Sequence, residues 1–140
     1  LHMLPEARVL WVRRNPEDAA LSCFRAPFSK GMAWSWSLEE IGRVFAVEDL
    51  LFRHWSKQFH DRINAIRYED LVRDPEACIP PLLEFVGLPM EPQVLTPQQT
   101  ERHVRTASIR QVRGPISPSR IGAAEAYPKG MDAFRRAYCG

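Results

Sequence analysis

Residues 8–25 read RVLWVRRNPEDAALSCFR, and their interpretation decides how the rest of the chain is read. Val9 to Val12 is a short run of β-branched, aliphatic and aromatic residues, which predicts a strand covered on both faces. Asn15 can cap a helix, Pro16 suits the first helical position, and Glu17 and Asp18 lie where the helix dipole favours negative charge. The stretch is therefore strand, turn, helix, with Arg14 at the strand's carboxyl end. Ser22 lies roughly 9 Å further along that helix than Pro16, at about 1.5 Å per residue. An arginine and a hydroxyl placed in this way can grip one phosphate from two sides. Taken alone, the same residues also read as a good helix start followed by a solvated or back-bonded serine.

Working outward, Ala26 to Trp36 reads as a loop containing Pro27, Gly31 and two tryptophans, one of which is expected in the core. Ser37-Leu38-Glu39-Glu40 has the form of a capping box. It opens a helix whose apolar stripe, Leu38, Ile41, Phe45, Phe52, Trp55 and Phe59, predicts packing on a sheet. After a turn at His60–Arg62, Ile63 to Arg67 reads as a second strand. Tyr68-Glu69-Asp70-Leu71-Val72-Arg73-Asp74-Pro75 follows, then a helix stopped by Gly87 and Pro89. Pro80 and Pro81 imply that this helix starts near Pro80 or has an irregular first turn. Glu69 and Asp70 are adjacent, so their side chains diverge, and they read as helix-start and packing residues. Residues 90–105 are polar and irregular, and Met131, Phe134 and Tyr138 mark a last short amphipathic helix.

Composition narrows the function. A chain of 140 residues with 45% hydrophobic content can bury a core. Its net charge of +2 balances 19 basic against 17 acidic residues, and the arginines are dispersed, which argues against nucleic acid as a partner. All the basic residues except Lys30, Lys57 and Lys129 are arginine, whose planar fork suits phosphate and sulfate. Cys23, Cys78 and Cys139 are odd in number and scattered, consistent with reduced thiols in a cytoplasmic setting. His2, His54, His60 and His103 lack metal-ligand spacing, so no metal is expected. No apolar run reaches the roughly 20 residues that would span a bilayer, so no membrane association is expected.

Three elements together carry a family resemblance. Arg14-Asn15-Pro16-Glu17-Asp18 with Ser22 resembles the R-x-P-x-D-x-x-x-S element of sulfotransferases that use 3′-phosphoadenosine 5′-phosphosulfate (PAPS). Tyr68-Glu69-Asp70-Leu71, with Asp74-Pro75 and the Phe85-x-Gly87-Leu88-Pro89 helix end, resembles their Y-E-D-L element. Ser108-Ile109-Arg110-Gln111-Val112-Arg113-Gly114-Pro115-Ile116 resembles the S-x-x-Q-V-x-x-P-I loop of bacterial and protein-tyrosine sulfotransferases. The resemblance implies that Arg14 and Ser22 bind the cofactor's 3′-phosphate, that Tyr68 lies against the adenine, and that Ser108 and Arg113 close over the adenosine and its phosphate. A solvated basic loop remains the alternative for Arg113. The pattern departs at Ala123 and Ala124, where the family commonly has a basic residue and a tryptophan.

The resemblance implies an α/β fold, a P-loop-NTPase-like parallel sheet flanked by helices, incomplete here because only two strands are recognisable. Residues 1–140 are accordingly expected to form one partial sulfotransferase domain. No G-x-P-R-S-G-T-like or Walker-type loop occurs in the sequence. The implied activity is binding of PAPS or its product PAP at the adenosine 3′-phosphate end, while the parent enzyme transfers a sulfuryl group to a hydroxyl acceptor. No residue of this chain is implied as catalytic, and the chain alone is expected to be inactive. The alternative is a non-catalytic sulfotransferase-like remnant acting as an interaction or oligomerisation module. Two strands leave exposed edges, which predicts a truncated product, a fragment, or self-association through unpaired strands.

Overall fold

The computed structural model describes residues 4–26, 28, 31–99 and 115–140. Its described residues fall into two compact units, one drawn from Leu1–Arg13 and Trp55–Pro118, the other from Arg14–His54 and Ser119–Gly140.

The first unit holds a two-stranded parallel sheet of β1 (Val9–Arg13) and β2 (Ile63–Arg67). Val9 pairs with Ile63, Trp11 with Ala65 and Arg13 with Arg67. Parallel strands need a long crossover, and here the 49 residues 14–62 lie between them. The alternation of β1 differs from the expectation of cover on both faces. Val9, Trp11 and Arg13 are half-buried, whereas Leu10 and Val12 are exposed, Val12 to 54%. With two strands among the described residues, the sheet has one packed face, and period-two alternation follows.

β2 runs directly into α3 (Tyr68–Arg73), which is followed by α4 (Pro75–Val86). Asp74 caps α4 by accepting the Ala77 N–H at 3.0 Å, and Pro75 takes the first helical position. The helix thus begins before Pro80 with a regular cap, unlike either expected arrangement. Pro80 and Pro81 have helix-compatible φ. Their cost is the loss of donors to the carbonyls of Glu76 and Ala77, which lie on exposed residues open to water. Gly87 ends α4 in the left-handed region, φ +75°, with its N–H returned to Glu84. The amino ends of both strands are tied down by arginines. Arg8 donates to the Phe85 carbonyl and lies 5.5 Å over its ring, and Arg62 donates to the Pro5 carbonyl and lies 4.9 Å over Phe59.

The second unit contains α1 (Pro16–Arg25), most of α2 (Leu38–Gln58) and α5 (Asp132–Cys139). Ser37 Oγ accepts the Glu40 N–H at 3.4 Å, but the Glu40 carboxylate pairs with Arg43, as does that of Glu39. Only half of the expected capping box therefore forms. Ala20, Leu21, Ile41, Ala124, Met131 and Phe134 make the core, with Trp34, Phe45 and Tyr138 packed on it. Each large apolar side chain buried here contributes about 1.5–3 kcal/mol. Phe45 meets the Phe134 ring edge-on at 5.9 Å, and Tyr138 stacks on it at 5.2 Å. Gly42 lets α2 approach α5 closely, since a Cβ there would lie 2.7 Å from the Phe134 carbonyl oxygen. In the expected loop, a 3₁₀ turn at Ala33–Trp36 places Trp34 against the core and leaves Trp36 66% exposed.

Candidate functional site

The start of α1 is built by its own sequence. The Asn15 side chain accepts the N–H groups of Glu17 and Asp18 at 3.0 and 3.1 Å, satisfying two donors that would otherwise lack partners, and Pro16 has no N–H to satisfy. Arg14 is half-buried, and its Nη2 donates to the Arg120 carbonyl at 2.6 Å. Ser22 is exposed on α1. Arg25, one turn further on, lays its guanidinium 4.8 Å over the Tyr127 ring, a cation–π contact of about 0.5–1 kcal/mol at an exposed site.

The two acids after Pro16 do more than complement a dipole. Asp18 is 2% exposed, and its carboxylate accepts the N–H groups of Gly122 at 2.7 Å and Ala124 at 2.8 Å. Gly122 is left-handed, φ +73°, a conformation that favours glycine. It introduces the 3₁₀ turn Ala123–Ala126. Glu17 makes a two-pronged pair with Arg135, Oε1 to Nε at 2.8 Å and Oε2 to Nη2 at 2.6 Å. The guanidinium hydrogen bonds and charge hold the Glu17 carboxyl below its ordinary range and raise Arg135. Arg135 Nη1 also donates to the Pro128 carbonyl at 2.7 Å and to Asp132 at 3.2 Å. Burial alone raises the Cys23 thiol, which suits packing rather than reactivity.

Of the residues expected to bind the cofactor, Arg14 lies two residues before α1 and Ser22 lies within it, both in one unit. Tyr68 is in the other unit, half-buried at the first position of α3 and thus at the carboxyl end of β2. Ser108 and Arg113 lie outside the described residues. Sequence reasoning missed the long-range partners, Asp18 with Gly122 and Ala124, Glu17 with Arg135, and Arg14 with Arg120. The available signal was the Asp of Arg-x-Pro-x-Asp, whose position at the third residue of the helix also fits an ordinary dipole interaction. Ala123 and Ala124, noted as departures, are packed on or within the core, Ala124 at 3% exposure. Among the described residues, no group of three or more His, Cys, Asp or Glu side chains could hold a metal ion, and no helix is long and apolar enough to cross a membrane.

Comparison with known proteins places these elements in a family. A family model described as "Sulfotransferase family" matches residues 1–92, which include Arg14, Ser22 and Tyr68. An uncharacterized protein of Aquifex aeolicus (strain VF5) is 36% identical over 132 residues, covering 92% of this chain and 17% of that protein. The chain thus spans a small part of that relative's length. No solved structure matches. With the family model covering well over half its length, this chain, carrying a parallel strand pair and an arginine-led helix start, belongs to the sulfotransferase family.

Proposed function

We propose that this chain is the part of a PAPS-dependent sulfotransferase that holds the adenosine 3′-phosphate end of the donor. The observation that carries this reading is the Arg14 guanidinium, hydrogen-bonded to Arg120 at the mouth of a capped helix that presents Ser22 to solvent. A phosphate dianion suits such donors, since a guanidinium offers paired N–H groups and a serine adds a hydroxyl. In this reading Arg14 and Ser22 bind the 3′-phosphate and Tyr68 supplies an apolar face for the adenine. Ser108 and Arg113 close over the nucleotide.

When bound, PAPS supplies the activated sulfuryl group for transfer to a hydroxyl acceptor. This chain's residues bind and orient its nucleotide end. Transfer also needs charge stabilisation on the leaving phosphate and removal of the acceptor's proton. We assign both to other parts of the full enzyme, so residues 1–140 alone are read as one inactive, partial, cytoplasmic sulfotransferase domain. In the full enzyme, β1 and β2 would belong to a P-loop-NTPase-like sheet. In isolation their open edges favour self-association, which sedimentation at increasing concentration would detect.

Isothermal titration with adenosine 3′,5′-bisphosphate tests the binding reading. Binding weakened by Arg14→Ala is expected. No binding at millimolar ligand, or affinity unchanged by Arg14→Ala, would reject it. The second reading, a non-catalytic interaction module, is favoured by Ala123 and Ala124, which fill core space where a basic residue and a tryptophan are common in the family. Absence of nucleotide binding by the folded chain is its expected signature.

A further inference from the structure

Asp18 takes no part in the proposed phosphate grip, yet it is among the most deeply buried polar side chains described. An acid serving only the helix dipole would remain in water, where its charge is solvated at no cost. Here both carboxylate oxygens are instead used by backbone N–H groups of one distant turn, Gly122 at 2.7 Å and Ala124 at 2.8 Å. Gly122 is two residues beyond Arg120, whose carbonyl accepts from Arg14 Nη2 at 2.6 Å. Two tethers therefore run from the amino end of α1 to the same short segment, one from the Asp18 carboxylate and one from the Arg14 guanidinium.

We infer that Asp18 is a positioning residue for Arg14: by clamping the turn at Gly122–Ala124 it fixes the Arg120 carbonyl, which in turn sets the orientation of the Arg14 guanidinium. The inference deepens the proposed function and rests on the reading of Arg14 as a 3′-phosphate ligand. Fixing a guanidinium before the ligand arrives removes part of the ordering cost of binding. Asp18→Asn is the informative change. The amide retains one acceptor oxygen, but its NH₂ faces the second backbone N–H, so two donors oppose each other and the turn must move.

The test compares adenosine 3′,5′-bisphosphate with adenosine 5′-monophosphate, which lacks the 3′-phosphate, by titration on the full chain. The wild type is expected to favour the bisphosphate at least tenfold. Asp18→Asn should bring that ratio close to one while leaving the monophosphate affinity unchanged, and adding Arg14→Ala should reduce the ratio no further. A ratio retained in Asp18→Asn overturns the inference. A wild-type ratio of one rejects Arg14 as a phosphate ligand instead. Positioning is then judged by nuclear magnetic resonance of the Arg14 guanidinium, whose rotation should be slowed in the wild type and faster in Asp18→Asn. Equal rates in the two proteins overturn it. Should Asp18→Asn fail to fold, an ester in place of the Ala124 amide removes one donor and keeps the backbone shape. It should reproduce the lost ratio and the faster rotation, and an unchanged ratio and rate would overturn the inference.

Discussion

Two strand-to-helix junctions sit at corresponding places in this chain, β1 into α1 and β2 into α3, and they are built differently. The first spends two residues on the turn, caps the helix with Asn15, opens it with Pro16, and ties it to residues more than a hundred positions away. At the second, Arg67 serves as both the last strand residue and the cap position and makes no side-chain cap hydrogen bond, and α3 lasts six residues. Its buried acid, Glu69, has the largely exposed Arg67 as ion-pair partner at 3.6 Å, where Asp18 has two backbone donors. The first junction is specified redundantly, as expected where a side chain must be held in one orientation. The second relies on β2 and α4 to hold its place.

Substitutions can break or sharpen this contrast. The largest effect is expected from Asp18→Ala, which leaves the buried Ala124 N–H and the half-buried Gly122 N–H without the acceptors they now use and should cost about 3 kcal/mol in urea denaturation. Glu69→Gln at the other junction keeps an acceptor oxygen on a buried side chain of the same size and should cost less, about 1–2 kcal/mol. Equal losses would remove the distinction. Next comes Gly42→Ala, whose added Cβ would press on the Phe134 carbonyl and the Ala137 side chain of α5. About 2 kcal/mol is expected, within the range for overpacking, and an unchanged melting temperature would show that α5 can shift freely. Asn15→Ala should cost about 1 kcal/mol for the lost cap, whereas Arg67→Lys should change stability by less than about 0.5 kcal/mol.

The smallest effect concerns pH. Glu17 has a lowered folded pKa because Arg135 stabilises its charged form. Its contribution is therefore complete above the unfolded-chain value of about 4.3 and is lost as pH falls through the lower folded value. Both partners are partly exposed, so the difference between wild type and Glu17→Gln should be modest at neutral pH and vanish in acid. A gap that widened in acid would contradict the assignment.

Local signals in the sequence were sufficient for most elements. Asn15-Pro16, Ser37 with Glu40, and Gly87-Leu88-Pro89 act within a few residues, and the helices and strands begin or end beside them. Neither arrangement expected around Pro80 and Pro81 forms, because the Asp74 cap outweighs two missing donors on an exposed helix face. Trp34 and Trp36 could be divided into one core residue and one other, but which was which depended on a 3₁₀ turn that the sequence does not mark. The candidate site was legible only where its residues share one element. Arg14 and Ser22 stand out by spacing along one element, whereas Asp18 depends on Gly122 and Ala124. Neither a glycine nor an alanine announces which carboxylate its backbone will meet.

That clamp also bears on the order in which the protein assembles. Asp18 and Gly122 are 104 residues apart, so their hydrogen bond cannot form until synthesis has passed residue 122 and the intervening chain has collapsed. Contacts of such separation carry the full loop-closure cost and are usually gained late. During synthesis α1 emerges with its carboxylate still in water. Loss of the clamp should therefore accelerate unfolding while leaving the folding rate nearly unchanged.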